Sequence, residues 1–333
     1  MTTSSSPSTS PFNIDVQPGK PPMLQTETAE DALRWASARH EPLRQAVTDH
    51  GSLLVRGLRL EDAAHVGAVC RQLGALITET EAFAPRLRYA QGLYSASKWP
   101  PSQQMCVHHE LSYALEFPSL MLFACLTAPA SGGATPVADS PSVMRALPTT
   151  LVDRFERAGW LLVRNYNNDI GASLAESFGT DDRFAIERYC RANAIDFEWQ
   201  PGGGLRTKQY REAVFTHPRT GQKCWFNQAA FLNAWTMDAE VREYLIEVYG
   251  ENALPFDTLF GDGSKIGPEI VQTINQVYEA HTVREAWQTG DLLLVDNIRT
   301  AHGREAFSGP REVVVGMIDG VRGTARSAAI EAA

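Results

Sequence analysis

The chain has few cysteines, no long apolar run, no excess of basic charge and no nucleotide-binding glycine motif. Its five cysteines, Cys70, Cys106, Cys125, Cys190 and Cys224, are scattered and form no CxxC pair. That pattern argues against a disulfide framework and points to free buried thiols in a reducing compartment. The longest nearly apolar stretch, from Leu120 to Ala130, falls well short of the ~20 residues that span a bilayer. The formal net charge of -9 and the pI near 5.4 speak against nucleic acid and anionic membrane surfaces as partners. Neither GxGxxG nor GxxxxGK[ST] occurs, which sets aside the usual dinucleotide and P-loop folds. The N-terminus, MTTSSSPSTSPF, lacks a basic segment followed by an apolar one, so no secretory signal is read there and a cytoplasmic location is expected. No internal repeat is visible.

What remains is an ordinary globular composition, 44% apolar and 21% charged over 333 residues, enough for one large domain. Residues 1–22, rich in Ser, Thr and Pro, are expected as a flexible tail. Residues 23–322 form the folded domain and residues 323–333 a second tail. Three helices announce themselves. Val66, Val69, Cys70 and Leu73 follow helical spacing up to Gly74. Asp238 caps a helix with Val241, Tyr244, Leu245 and Val248 on one face, closed by Gly250. Pro268 opens a third, with Ile270, Val271, Ile274 and Val277 inside. Short apolar runs at Ser52–Val55, Leu120–Leu126, Leu292–Val295 and Val313–Val315 read as strands. A β-sandwich with helical additions fits this better than a doubly wound α/β fold. The Gly202–Gly204 triplet reads as a flexible turn.

The chemistry concentrates in MCVHHELSY, residues 105–113. Alternate residues of a strand share a face, so His108 and Glu110 point together and His109 points away, into packing or toward the ligands' supports. Two imidazoles and one carboxylate on one side of an iron leave three coordination positions open. His302, after the apolar run at Leu292–Val295, is the best third ligand. His40, His50 and His65 sit in or beside early helices, His217 lies in an HPRTG turn, and His281 ends a helix. An isolated HxE is a common pair, so the triad needs further support.

That support is a resemblance. HHELSY (108–113), GGATPVADS (132–140), HPRTGQKCWFNQ (217–228) and WQTGDLLLVDNIRTAHGREAFSGPRE (287–312) occur in the order found in the taurine dioxygenase-like (TauD/TfdA) superfamily. The chain resembles most the branch of syringomycin-type amino-acid hydroxylases, from roughly residue 50 to 320. The resemblance implies a double-stranded β-helix, or jelly roll, mainly β with helical additions. It implies His108, Glu110 and His302 as ligands of Fe(II), with 2-oxoglutarate and dioxygen as co-substrates and ascorbate as the reductant in vitro. Thr135 matches the threonine that bonds 2-oxoglutarate, and Arg311 the arginine that grips its distal carboxylate; Arg304 is the competing candidate. A planar guanidinium suits either role because it bonds both carboxylate oxygens. Glu110 stands where many members carry Asp, as it does in the amino-acid hydroxylase branch. Related halogenases have a small residue there, so halogenation is disfavoured.

The implied reaction is hydroxylation of an unactivated C–H bond of an amino acid, free or tethered to a carrier protein, in antibiotic biosynthesis. Desaturation or ring closure on the same scaffold is the alternative, and a catalytically inactive binding protein is a second. Asn227, in WFNQ, and Arg206, after the glycine triplet, are the candidate substrate contacts. Trp225 and Phe226 read as core aromatics.

Overall fold

A computed structural model describes residues 12–83, 86–167 and 170–325. Its frame is a seven-stranded sheet. In order, the strands are Met23–Asp31, Ser52–Arg59, Leu292–Asp296, Glu116–Thr127, Glu312–Arg322, Leu93–Ser95 and Arg88–Ala90. A four-stranded sheet, ordered Thr282–Val283, Val137–Asp139, Thr300–Arg304 and Met105–His108, closes the jelly roll. A second four-stranded sheet, Ile195–Trp199, Leu205–Arg211, Trp160–Tyr166 and Phe256–Phe260, is built from the middle of the chain.

The large sheet is apolar on both faces, which explains its uninterrupted apolar runs. Leu293, Val295, Met121, Phe123, Val313 and Val315 point into the jelly roll. Leu292, Leu294, Leu120, Leu122, Val314 and Ile318 point the other way. There they pack on helices Ala32–His50 and Ala63–Leu73 through Trp35, Leu43, Val66, Val69 and Cys70. Each such side chain contributes about 1.5–3 kcal/mol of burial.

All four predicted strands form; Leu292–Asp296 is one residue longer than expected and the other three are longer by several. The helix ending at Gly74 starts one residue after its cap, Asp62, and Pro268 opens the helix Pro268–Ala280 as expected. Asp238 caps the helix Ala239–Tyr249, but the expected apolar face is not packed: Val241, Tyr244 and Val248 are 52%, 60% and 51% exposed. The tail expected over residues 1–22 is too long. Asp15 exchanges backbone hydrogen bonds with Met23, and the Phe12 ring stacks on Trp35 at 6.2 Å. Apolar contact therefore fixes the chain from residue 12. Residues 1–11, and 326–333 of the second expected tail, lie outside the described residues. Cys70, Cys125, Cys190 and Cys224 are buried and unpaired, with burial pushing each thiol up to about 12. Among the described residues no helix is long and apolar enough to cross a membrane.

Candidate active site

His108 and His302 are neighbours on one rung of the smaller jelly-roll sheet. They pair directly across the antiparallel strands Met105–His108 and Thr300–Arg304, and their ring centroids lie 4.8 Å apart. Glu110 reaches the same point by a different route from the one its spacing suggests. The strand ends at His108, and Glu110 stands on the turn that follows, where Leu111 takes a positive φ of 54°. The turn brings the carboxylate round, and its Oε2 lies 3.6 Å from His302 Nε2. Ligand atoms of His108, Glu110 and His302 all lie within 4.8 Å of one another, and all three residues are buried. His109 points away as expected.

Buried polar contacts hold this arrangement. His108 Nδ1 lies 2.9 Å from its own strand's Cys106 carbonyl; donation there leaves Nε2 with a free lone pair. Burial, then the neighbouring His302, lowers the His108 pKa to about 4, so the ring is neutral and able to ligate at neutral pH. Phe231 stacks on His108 at 4.7 Å and Phe123 packs on His302 at 4.9 Å, so apolar rings cover both imidazoles. Burial pushes the Glu110 carboxyl upward. Arg86, 2.9 and 3.0 Å from its two oxygens, and the two histidines together outweigh burial and hold it well below the ordinary carboxylate range.

Two residues that sequence reasoning passed over do much of this positioning. Asn297, fully buried, accepts from the Glu110 backbone N–H at 2.7 Å and donates to the carbonyls of Glu110 and Pro118 at 2.9 and 2.8 Å. Its own carbonyl lies 2.6 Å from His109 Nδ1. Gln228 donates to the His109 carbonyl at 2.6 Å. Asn297 directly follows the predicted strand at Leu292–Val295 and its flanking Asp296, and its position there was the one available signal. Asn297→Ala strands a buried N–H and two carbonyls. We expect a loss of about 2–4 kcal/mol of stability and a roughly 10- to 100-fold loss of metal affinity, read by thermal denaturation and Mn(II) titration. Unchanged metal affinity would contradict this role. The other missed residue is Arg86, in an aperiodic segment.

Around the triad is a cavity lined by residues of both jelly-roll sheets, among them Phe123, Val313, Thr135, Arg304 and Arg311. The Gly132–Gly133 turn delivers Thr135. Both glycines have positive φ, and a Cβ on Gly132 would lie 2.2 Å from the Ala306 carbonyl oxygen. Arg311 Nε donates to the Gly133 carbonyl at 3.0 Å, which leaves its terminal nitrogens for the cavity. Burial, and then Arg304, lowers the Arg311 pKa to about 10; the guanidinium stays charged but lacks an anion. Arg304 is used differently. Its terminal nitrogens donate to the carbonyls of Trp99, Pro100 and Gln103 at 2.7–2.9 Å.

The two expected substrate contacts are not in this cavity. Asn227 is buried with its amide satisfied locally, donating to the Ala213 carbonyl and accepting from the Ala229 N–H. Arg206 lines a separate hollow of about 890 Å³ between the Gly202–Gly204 turn and Tyr249, to which no triad residue contributes. Trp225 and Phe226 are core aromatics, as read. His217, in its HPRTG turn, lies 2.8 Å from Asp296 through Nε2.

The donor set fits an iron(II) ion. Two imidazoles and a carboxylate held ionised by Arg86 converge, and among the described residues the buried His302 Nδ1 has no hydrogen-bond partner.

Comparison with known proteins gives a consistent picture. The family model described as "Taurine catabolism dioxygenase TauD, TfdA family" matches residues 15–317. The dapdiamide synthesis protein DdaC of Enterobacter agglomerans is 32% identical over 299 residues, which is 90% of this chain and 91% of that protein. A clavaminate synthase-like protein of Arabidopsis thaliana is 29% identical over 280 residues, 81% of this chain and 82% of that one. Among solved structures, PvcB of Pseudomonas aeruginosa superposes with a TM-score of 0.55 at 16% identity, covering 92% of this chain and 89% of that one. PvcB is described as an Fe, alpha-ketoglutarate dependent oxygenase from an isonitrile synthetic pathway. A putative alpha-ketoglutarate-dependent taurine dioxygenase from Burkholderia xenovorans gives 0.56 at 15% identity, covering 94% and 91%. At such identities these structures speak for the fold, and the jelly roll is shared.

Proposed function

The chain belongs to the TauD/TfdA dioxygenase family and is an iron(II)- and 2-oxoglutarate-dependent dioxygenase, and from that premise we propose that it hydroxylates an amino acid or amino-acid-derived substrate in secondary metabolism. In this reading His108, Glu110 and His302 hold the iron, and Arg311 and Thr135 hold 2-oxoglutarate. The observation that carries it is the convergence of the three ligand atoms in one cavity that Arg311 also lines, with its terminal nitrogens uncommitted. Arg304, with its terminal nitrogens spent on three carbonyls, braces the loop at residues 99–103 instead. The similarity to a dapdiamide synthesis protein over nine-tenths of both chains favours a biosynthetic substrate over a nutrient.

When bound, iron with 2-oxoglutarate supplies the oxidising equivalents from dioxygen, and succinate and carbon dioxide are released. The chain's own contribution is placement. Arg311 fixes one end of the co-substrate, Asn297 fixes the turn that carries Glu110, and Phe123 and Phe231 keep water off the imidazoles. A screen of free and carrier-tethered amino acids with Fe(II), ascorbate and 2-oxoglutarate tests the proposal. Substrate-coupled succinate and a product heavier by one oxygen are expected. A product lighter by two hydrogens would assign desaturation or ring closure instead. Total absence of succinate across the panel would leave a binding protein.

A further inference from the structure

We infer that Arg86 is the seat of a substrate carboxylate, a second anion site in the cavity beside the one at Arg311. The inference rests on the oxygenase reading above and narrows it to a substrate that carries a free carboxylate close to the carbon attacked.

The buried arginines of this chain fall into two groups. Arg211 spends Nε and both terminal nitrogens on the carbonyls of Tyr113, Ala194, Tyr210 and Asn193. Arg164 donates to the carbonyls of Glu81 and Ala82 and to Ser177 Oγ. Arg304 braces its loop in the same way. These are structural, with both terminal nitrogens held, mostly by fixed backbone carbonyls, although Arg304 Nε is also buried without a hydrogen bond. Arg86 is not. Its side chain is only 10% exposed, yet among the described residues its only hydrogen bonds run from one terminal nitrogen, Nη2, to the two oxygens of Glu110. Nε is buried without a hydrogen bond, and the Glu79 carboxylate stands 3.8 Å from it, an ion pair beyond hydrogen-bond reach. A buried guanidinium with this much unused donor capacity lacks a partner, and it lies in the wall of the triad cavity.

The partner it does have is one that the metal will claim. Once Glu110 ligates a dication, its charge is shared and its hold on Arg86 weakens. Iron(II), Arg86, Arg304 and Arg311 then stand around 2-oxoglutarate and Glu110. The site is short of at least one negative charge even with Glu79 ionised. The free space beside the triad is about 40 Å³, and Arg86 lines it. A carboxylate bound bidentately to its fork supplies the missing charge and satisfies the idle donors together. Being next to Glu110, it places the carbon attacked within a few bonds of that carboxylate. An α-amino acid tethered by a thioester no longer has that group, so a free acid, or an acid on the side chain, is the form recognised.

The test begins with protein loaded with Mn(II) and 2-oxoglutarate, titrated calorimetrically with formate, acetate, propionate and butyrate, and with propionamide as the neutral control. Propionate is expected to bind and propionamide not. Arg86→Gln should weaken propionate at least tenfold and Arg86→Lys, which keeps the cation beside Glu110, several-fold. In Arg86→Lys the affinity for propionate should fall by more than that for Mn(II); an equal or larger fall for Mn(II) would make Arg86 a support of Glu110 alone. No binding of simple carboxylates, equal binding of propionamide, or equal binding to the variants would overturn the site. Free amino acids, their amides and carrier-tethered forms are then compared by succinate release. Coupling of amides or tethered α-amino acids as well as free acids would also overturn it, leaving the amino-acid reading intact. If carboxylates bind through Arg86 and no amino acid couples, the site stands and the amino-acid reading falls.

Discussion

His108→Ala will abolish substrate-coupled succinate formation and reduce Mn(II) binding from one equivalent to none, while the protein remains folded. The loss should exceed the roughly 10- to 100-fold that follows removal of an outer partner of a metal ligand, because here the ligand itself goes. Survival of the fold follows from what the side chain touches. Its Nδ1 contact is to the carbonyl of Cys106, two residues back, and its ring packs on Phe231 at the cavity wall. Truncation therefore removes no long-range hydrogen bond. A cost of about 1–3 kcal/mol is expected out of the ~5–15 kcal/mol typical of a folded domain. Circular dichroism and a thermal melt separate this from unfolding. Undiminished turnover in a folded His108→Ala protein would remove the metal assignment altogether.

Arg311→Ala is expected to raise the 2-oxoglutarate requirement by roughly 10- to 150-fold, the equivalent of about 1.5–3 kcal/mol for charge-assisted hydrogen bonds to one carboxylate. The turnover at saturating co-substrate should fall much less, since the proposed contact is to the distal carboxylate of the co-substrate and not to the reacting centre. Stability should change little or rise. In the absence of ligand the side chain is a buried cation beside Arg304 with one hydrogen bond, to the Gly133 carbonyl. Steady-state kinetics at varied 2-oxoglutarate decides the matter. An unchanged requirement would contradict the assignment, and Arg304→Ala would be the next variant to measure.

Which parts of this were legible in the sequence follows from the range of the interactions involved. The strands at Ser52–Val55 and Leu292–Val295 were readable because burial on both faces produces a continuous apolar run between polar punctuation. The triad was readable because chemistry restricts the residue types, and the four ordered motifs placed His302 with it. The detailed route was not. Alternation along a strand put His108 and Glu110 on one face, whereas the strand stops at His108 and a turn with a left-handed Leu111 does the work. Arg86 and Asn297 were invisible, because each acts only through partners distant in the chain. Asn227 and Arg206 misled in the opposite sense. Asn227 has a polar side chain in a motif, but its own turn consumes both ends of the amide. Arg206 follows a mobile-looking glycine triplet, but that turn opens onto a different hollow. The exposed face of the Ala239–Tyr249 helix shows that helical spacing of apolar residues guarantees a helix more reliably than it guarantees burial.

The order of strands in the large sheet carries a consequence for biosynthesis. Leu292–Asp296 lies between Ser52–Arg59 and Glu116–Thr127, and its neighbour Thr300–Arg304 brings His302 to His108. A chain still emerging from the ribosome has both flanks of the sheet but not the strand that joins them. It also has two of the three residues proposed as iron ligands but not the third. On that reading, the ligand set is complete only when one late segment slots home.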